Sequence, residues 1–141
     1  MNNPVSVLLD SKESQIHTVP LTATVFDAVQ KMVEAKIGSV LVVDGNSLIG
    51  IFTERDAVFR VIAKGLDPTT TRLADVMTVE PITLSPEKSY GHALLLMQEN
   101  GFRHLPVVQN RVPIGIISSR NAMDPEMEQF VWEERRRAHY R

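Results

Sequence analysis

The sequence predicts an α/β (α+β) fold in which two β-α-β-β-α repeats pack with pseudo-twofold symmetry around a shared core. Three observations support this prediction. The chain has 141 residues, 43% of them hydrophobic, and a net charge of −2, which suits a folded domain rather than a disordered chain. A shift of 65 residues places residues 18–58 over residues 83–123 without a gap. Each copy also shows the same order of strand-like and helix-like segments.

The repeat is defined by residue types that chance seldom aligns. Any two α/β segments share some apolar positions, but here glycine, arginine and alanine coincide in the same register. The identical pairs are Thr18/Thr83, Ala28/Ala93, Met32/Met97, Glu34/Glu99, Val42/Val107, Val43/Val108, Ile49/Ile114, Gly50/Gly115, Ile51/Ile116, Arg55/Arg120 and Ala57/Ala122. The chain therefore contains two copies of one unit.

Each copy begins with a short strand, at residues 17–19 and 82–84, that leads into a helix. Thr24 precedes Asp27 by three residues, which predicts a helix N-cap with a capping-box partner. Apolar residues then recur at helical spacing and predict one buried face. In the first copy they are Ala28, Val29, Met32 and Val33, and in the second Ala93, Leu94 and Met97.

Two strands and a closing helix complete the unit. The β-rich runs 39–44 and 48–53 are joined by residues 44–47, whose glycine and asparagine favour a tight hairpin. In the second copy, strands 104–109 and 112–117 flank an Asn-Arg turn. A closing helix over residues 54–64 is expected to end at Gly65.

The repeat sets the domain boundaries. Residues 1–15 form an N-terminal segment, 16–65 the first repeat, 66–74 a linker, 75–124 the second repeat and 125–141 a C-terminal amphipathic helix. A unit of about 60 residues buries too little surface to be comfortably stable alone, so the two copies are expected to share a core. A binding site is expected in a cleft between them.

Composition excludes several classes of protein. The absence of cysteine excludes disulfide scaffolds, thiolate metal sites and thiol catalysis. No apolar run is long enough to span a bilayer, and no secretory signal is visible, so a cytoplasmic protein without membrane contact is expected. The sequence has neither a metal-ligand cluster nor a set of catalytic residues, which makes an enzyme the weakest hypothesis.

The C-terminal segment contains four arginines, Arg135, Arg136, Arg137 and Arg141, which four glutamates balance. Its apolar residues recur at helical spacing, so we expect a helix that packs on its own module or on a second subunit. We therefore do not expect nucleic-acid binding, and we expect a homodimer.

The chain resembles the cystathionine-β-synthase-type (CBS) domain, and its tandem resembles a CBS pair, or Bateman module. The resemblance covers residues 16–123. It is carried by Gly-Ile-Phe-Thr-Glu-Arg-Asp at 50–56, Asp-Val-Met-Thr at 75–78 and Phe-Arg-His-Leu-Pro-Val-Val at 102–108. It implies a regulatory module that binds AMP, ADP, ATP, NAD or S-adenosylmethionine, requires no cofactor, and signals to a protein partner.

The resemblance also implies which residues bind the ligand. The family's glycine, then serine or threonine, then aspartate, each three residues apart, maps onto Gly50, Thr53 and Asp56. Asp56 would bind the ribose, because one carboxylate can accept hydrogen bonds from both hydroxyls. Thr53 would bind phosphate at a helix N-terminus. Gly50 would allow the backbone to approach the ligand closely.

The remaining candidates come mostly from the second repeat. Arginine suits phosphate because its planar fork matches the phosphate oxygens. The phosphate-binding candidates are Arg55, Arg103, His104 and Arg120. The candidate walls for adenine are Ile51, Ile82, Thr83 and Phe102.

The symmetry-related cleft departs from the pattern. Asn121 replaces the ribose aspartate, and Gly38 and Ser39 replace Arg103 and His104. One competent cleft is therefore predicted.

Two alternatives remain open. Thr53 and Asp56 together are also a good helix start. The whole module could be a ligand-free dimerisation or interaction unit.

Overall fold

The computed structural model describes residues 2–11 and 14–118. The elements in chain order are β1 (Thr18–Pro20), α1 (Val25–Ala35), β2 (Ser39–Asp44), β3 (Ser47–Thr53), α2 (Glu54–Asp56), β4 (Thr78–Val79), α3 (Tyr90–Asn100), β5 (His104–Gln109) and β6 (Val112–Ser118). Helix α2 continues as a π-helix over Ala57–Ile62, and 3-10 turns occupy Val5–Leu8 and Leu73–Asp75. The predicted roles of Arg120, Asn121 and the C-terminal helix fall outside the described residues.

The backbone pairing preserves the 65-residue offset. Val42 pairs with Gly50 in the first copy, and Val107 pairs with Gly115 in the second. Both hairpins shift register immediately after these pairs. The parallel pairing of β1 with β2 is matched in the second copy by a single bridge from Leu84 to Val107. The predicted α/β fold with two related halves is confirmed.

Helix α1 begins as predicted, and α3 begins with a similar cap. The Thr24 hydroxyl accepts a hydrogen bond from the Asp27 amide at 3.2 Å, and the Asp27 carboxylate accepts one from the Thr24 amide at 3.0 Å. In the second copy, the Ser89 hydroxyl accepts from the His92 amide at 3.1 Å. These bonds satisfy amides that the first turn of a helix otherwise leaves unpaired.

The same helices end on residues in the left-handed conformation. Gly101 has a φ of 70° after α3, and Lys36 has a φ of 56° at the equivalent position after α1. Glycine adopts this conformation at low cost because it has no Cβ, whereas a lysine there is strained. The two repeats therefore differ in both chemistry and backbone energy at one matched position.

Within residues 2–11 and 14–118, the core has three parts. One cluster lies between α1 and the first sheet, with Phe52 and Val40 fully buried. A second lies between α3 and the β5–β6 hairpin, with Leu105 and Ile117 fully buried. A third cluster contains Leu41 and Ile51 of the first sheet together with Ile116 of the second, and this is the core that the repeats share.

The segments that precede each repeat cross over to the other one. Val5, in the N-terminal segment, is fully buried in the core of the second repeat. Leu73, in the linker, and Met77, at the start of the second repeat, are buried in the core of the first repeat. Strand β4 then pairs with β3, which makes the first sheet β1-β2-β3-β4. This exchange brings β4 and the chain that follows it alongside β3 and α2.

Candidate ligand-binding cleft

A cavity of about 640 Å³ lies where the two repeats meet, and we call it the first cleft. The first repeat contributes the end of β3 and the α2 segment, by which we mean α2 and the π-helix that continues it to Ile62. The second repeat contributes β4 and the loop between α3 and β5. The predicted site residues that line it together are Ile51, Thr53, Arg55, Asp56, Ile82, Phe102, Arg103 and His104. Its volume is in the range of small-molecule sites.

Thr53 and Asp56 form a capping box at the start of α2. The Asp56 carboxylate accepts a hydrogen bond from the Thr53 amide at 3.0 Å, and the Thr53 hydroxyl accepts one from the Asp56 amide at 3.2 Å. The interpretation of this pair as a helix start is therefore confirmed. The hydroxyl of Thr53 can still donate one hydrogen bond outward, because only its acceptor capacity is used here.

Arg60 is a cleft residue that sequence reasoning missed. Its Nε lies 3.4 Å from Oδ1 of Asp56, and its Nη1 donates to the carbonyls of Val76 at 3.3 Å and Met77 at 3.1 Å. Asp56 is only 8% exposed, so this partner offsets the cost of burying its charge. The spacing of four residues from Asp56 on a helix could have indicated the pair. The carbonyl partners could not have been read from the sequence.

The carboxylate of Asp56 keeps further acceptor capacity. A carboxylate has about four lone-pair sites, and the Thr53 amide and Arg60 use one on each oxygen. Two ribose hydroxyls are therefore compatible with the bonds already formed.

Positive and negative side chains are balanced in this cleft. Arg55, Arg60 and Arg103 are its lining arginines among the described residues. Its lining carboxylates are Glu54, Asp56 and Glu80. The guanidinium of Arg55 lies over the ring of Phe59, 4.8 Å from its centroid, which fixes where this charge is presented.

Part of the lining of the cleft is apolar. Ile51, Ile82 and Phe102 form this part, and Phe102 also packs against the core of the second repeat. Thr83 is exposed and does not line the cavity, whereas Thr78 and Pro81 do. The pairing of Thr78 with Ile51 explains this difference, because it brings β4 and the residues after it to the cleft.

Gly50 has a role other than the predicted close approach to a ligand. It does not line the cleft, and it pairs with both Val42 and Val79 inside the sheet. A Cβ at this position would collide with the side chain of Met77, whose Cε would lie 2.9 Å away. A side chain at this position would therefore require Met77, which occupies the space over Gly50, to move.

A second cavity of about 510 Å³, the second cleft, lies on the symmetry-related side. His17 and Lys36 of the first repeat line it, and Arg103, His104 and Glu54 line both clefts. The expectation that this cleft lacks basic groups is wrong. The sequence comparison considered only Gly38 and Ser39, whereas the cation stands two residues earlier, at Lys36.

Comparison with known proteins agrees with this architecture. The family model of the CBS domain matches residues 11–63 and 73–125. A putative signal-transduction protein with CBS domains from Burkholderia ambifaria superposes with a TM-score of 0.81 at 33% identity, covering 89% of this chain and 95% of that one. The chain belongs to the CBS-domain family and carries two CBS domains, a general regulatory module.

Relatives differ in length and assembly. The chain is 39% identical over 105 residues to the CBS domain-containing protein CBSCBSPB3 of Arabidopsis thaliana, covering 74% of this chain and 19% of that protein. It is 38% identical over 100 residues to the mitochondrial CBSX3 of the same plant, covering 67% and 48%. The chain thus spans about half or less of these relatives. A hexameric CBS-CP12 protein from cyanobacteria superposes with a TM-score of 0.77 at 29% identity, covering 89% of this chain and 68% of that one.

Two further properties concern the described part of the chain. None of its helices combines the length and the apolar character that crossing a bilayer requires. Among the same residues, no group of three or more histidine, aspartate or glutamate side chains is placed to bind a metal ion.

Proposed function

We propose that this protein binds an adenosine nucleotide in the first cleft and reports its presence to a protein partner. The observation that carries the proposal is that Thr53 and Asp56 of one repeat line the same cavity as Arg103 and His104 of the other. A ligand with a diol at one end and a phosphate at the other suits a cavity that Asp56 of one repeat and Arg103 of the other line together.

The three parts of the ligand have separate partners in this proposal. The ribose hydroxyls donate to the remaining lone pairs of Asp56. The phosphate accepts from the Thr53 hydroxyl and from Arg55, Arg103 and His104, while Arg120 remains a prediction from the sequence. Adenine packs against the apolar lining formed by Ile51, Ile82 and Phe102.

The proposed mechanism is a shift in population rather than catalysis. A nucleotide that contacts both repeats favours the relative orientation in which all of its contacts form. A partner that recognises this orientation then responds to the ligand. The nucleotide acts as a regulatory ligand, and no cofactor takes part.

A ligand panel tests the proposal. Wild-type protein is heated with AMP, ADP, ATP, NAD or S-adenosylmethionine. At least one ligand is expected to stabilise it, by about 2.7 kcal/mol at a hundredfold excess over Kd. Arg103→Met should remove most of the effect of a phosphorylated ligand. The matched control is Arg111→Met, because Arg111 is exposed in the β5–β6 turn and lines neither cleft. An absence of response to every ligand, or an equal loss in both variants, contradicts the proposal.

A ligand-free interaction module is the second candidate. It is favoured by apolar side chains that remain exposed on the helical segments, with Ile62 and Val33 each 70% exposed. In this case the protein would self-associate and show no response to the panel. The ligand panel therefore distinguishes the two candidates, because only the nucleotide-binding module would respond to it.

A further inference from the structure

Arg60 joins the first cleft to the chain at the start of the second repeat. Its Nε lies 3.4 Å from Oδ1 of Asp56, and its Nη1 donates to the carbonyls of Val76 at 3.3 Å and Met77 at 3.1 Å. A guanidinium is a rigid planar fork, so its nitrogens cannot move independently of one another. One side chain therefore holds Asp56 and the two carbonyls in a fixed relation.

The two carbonyls belong to a segment that forms part of the cleft. Residues 76–80, which we call the crossing segment, contain β4 and lie at the start of the second repeat. Thr78 pairs with Ile51 of β3, and the Glu80 amide donates to the Ile49 carbonyl at 3.0 Å. Thr78 and Glu80 both line the first cleft. A movement of this segment would therefore change both the shape of the cleft and the path of the chain into the second repeat.

The crossing segment depends on Arg60 for two of its hydrogen bonds. Val76 and Met77 are buried, and a buried carbonyl without a donor costs free energy. Their amides both donate to the carbonyl of Leu73, in the 3-10 turn that precedes β4. Their carbonyls accept from Arg60. The position of the segment is therefore tied to this side chain.

The carboxylate of Asp56 depends on the same side chain. Its Oδ2 accepts from the Thr53 amide, and its Oδ1 has Arg60 as a partner. One oxygen is thus held from within the α2 segment, and the other by a side chain that is bonded to the crossing segment. A ribose diol needs lone pairs of the carboxylate in a defined direction, and Arg60 helps to set that direction.

The second copy has neither member of the Asp56–Arg60 pair. At the 65-residue offset, Asn121 corresponds to Asp56 and Pro125 to Arg60. Proline carries no hydrogen-bond donor, so an equivalent link cannot form there. Because the second copy does without the pair, the repeat fold itself does not require it. The pair instead accompanies the copy that has the predicted ribose acceptor.

We propose that Arg60 is a positioning residue that couples the Asp56 carboxylate to the crossing segment. A change at Asp56 is transmitted through the guanidinium to residues 76–80, and the position of those residues in turn sets the orientation of the carboxylate. The coupling itself needs no ligand, whereas its consequence for nucleotide affinity rests on the proposed function.

Native-state hydrogen exchange of the full chain tests the coupling without a ligand. The reporter is the Glu80 amide, and the reference is the Val108 amide, which donates to Leu84 in the second repeat. Arg60→Met should speed exchange at Glu80 about tenfold or more relative to Val108, because two bonds from a charged donor are lost. Asp56→Asn should speed it about threefold, because the partner of Arg60 loses its charge.

The combination of the two variants separates coupling from a general loss of stability. Asp56→Asn should have no further effect on Glu80 in the Arg60→Met background, because the link is already broken. The matched control is Arg111→Met, which should change neither amide. An equal rise at Glu80 and Val108, or unchanged exchange at Glu80 in either single variant, overturns the proposal.

Calorimetric titration with AMP and with 2′,3′-dideoxy-AMP tests the consequence for the ribose. The analogue lacks the diol, so wild-type protein should bind it about tenfold or more weakly than AMP. Arg60→Met should weaken AMP alone and bring the two affinities within about threefold, with Arg60→Lys in between. An equal loss for both ligands overturns the positioning role. If wild type binds neither ligand, or both equally, the nucleotide proposal fails, and hydrogen exchange still decides the coupling.

Discussion

Single residues in this protein serve packing and the proposed binding at once. Asp56 caps α2, pairs with Arg60 and faces the first cleft. The sequence motif predicted both the helix start and the ribose role, and only the first of these has been confirmed. Arg60 escaped prediction because its carbonyl partners, in Val76 and Met77, come from a segment that the fold brings there from beyond the linker.

Gly50 shows the opposite case, in which a motif residue acts through packing. Gly50→Ala should destabilise the fold by about 1–3 kcal/mol, because the added methyl group overlaps the buried side chain of Met77. Denaturant unfolding measures the loss. In the double variant Gly50→Ala/Met77→Ala, the loss should be smaller than the sum of the single losses by at least about 0.5 kcal/mol. Additive losses would contradict a steric role for this pair.

At the scale of elements, helical periodicity predicted α1 and α3 well but predicted only one face of each. Val25, Ala28 and Met32 are buried as the 3.6-residue period requires. The prediction that Val33 belongs to this buried face is wrong, because Val33 is 70% exposed and forms with the exposed Phe26 a second apolar stripe. Local sequence determines that one face of the helix is buried. Whether a second apolar face is also buried depends on what the rest of the assembly packs against it.

The α2 segment carries a matching stripe, which consists of Val58, Phe59 and Ile62, exposed by 51%, 57% and 70%. Exposed apolar patches mark interaction sites, so we expect the protein to form a homodimer through the α2 stripe. Sedimentation velocity should show a dimer for wild type and a monomer for Ile62→Asp. Val7→Asp, at an apolar residue 60% exposed outside the stripe, should remain dimeric. A monomeric wild type, or equal dissociation in both variants, would disprove this interface.

At the scale of the whole molecule, the repeat predicted the duplicated architecture but not the exchange between its halves. The 65-residue offset can be read directly from the sequence, because each copy carries its own version of the pattern. The same offset relates the strand pairings Val42–Gly50 and Val107–Gly115. The exchange rests on short segments, a two-residue strand β4 and a 3-10 turn holding Val5, which carry too few residues to show a period. The exchange also explains how the first cleft is lined, because β4 and the residues that follow it bring Thr78, Glu80 and Pro81 to the cavity.

The central claim is that a nucleotide bridges the two repeats with its ribose on Asp56. The most direct test is calorimetric titration with AMP of wild type, Asp56→Asn and Asp27→Asn. Both variants alter a capping-box aspartate, but Asp27 lies on α1 outside the first cleft. We predict one tight site per chain in wild type and in Asp27→Asn, and an affinity at least about tenfold lower in Asp56→Asn. Equal affinity in the two variants, or no binding of AMP by wild type, would contradict the account.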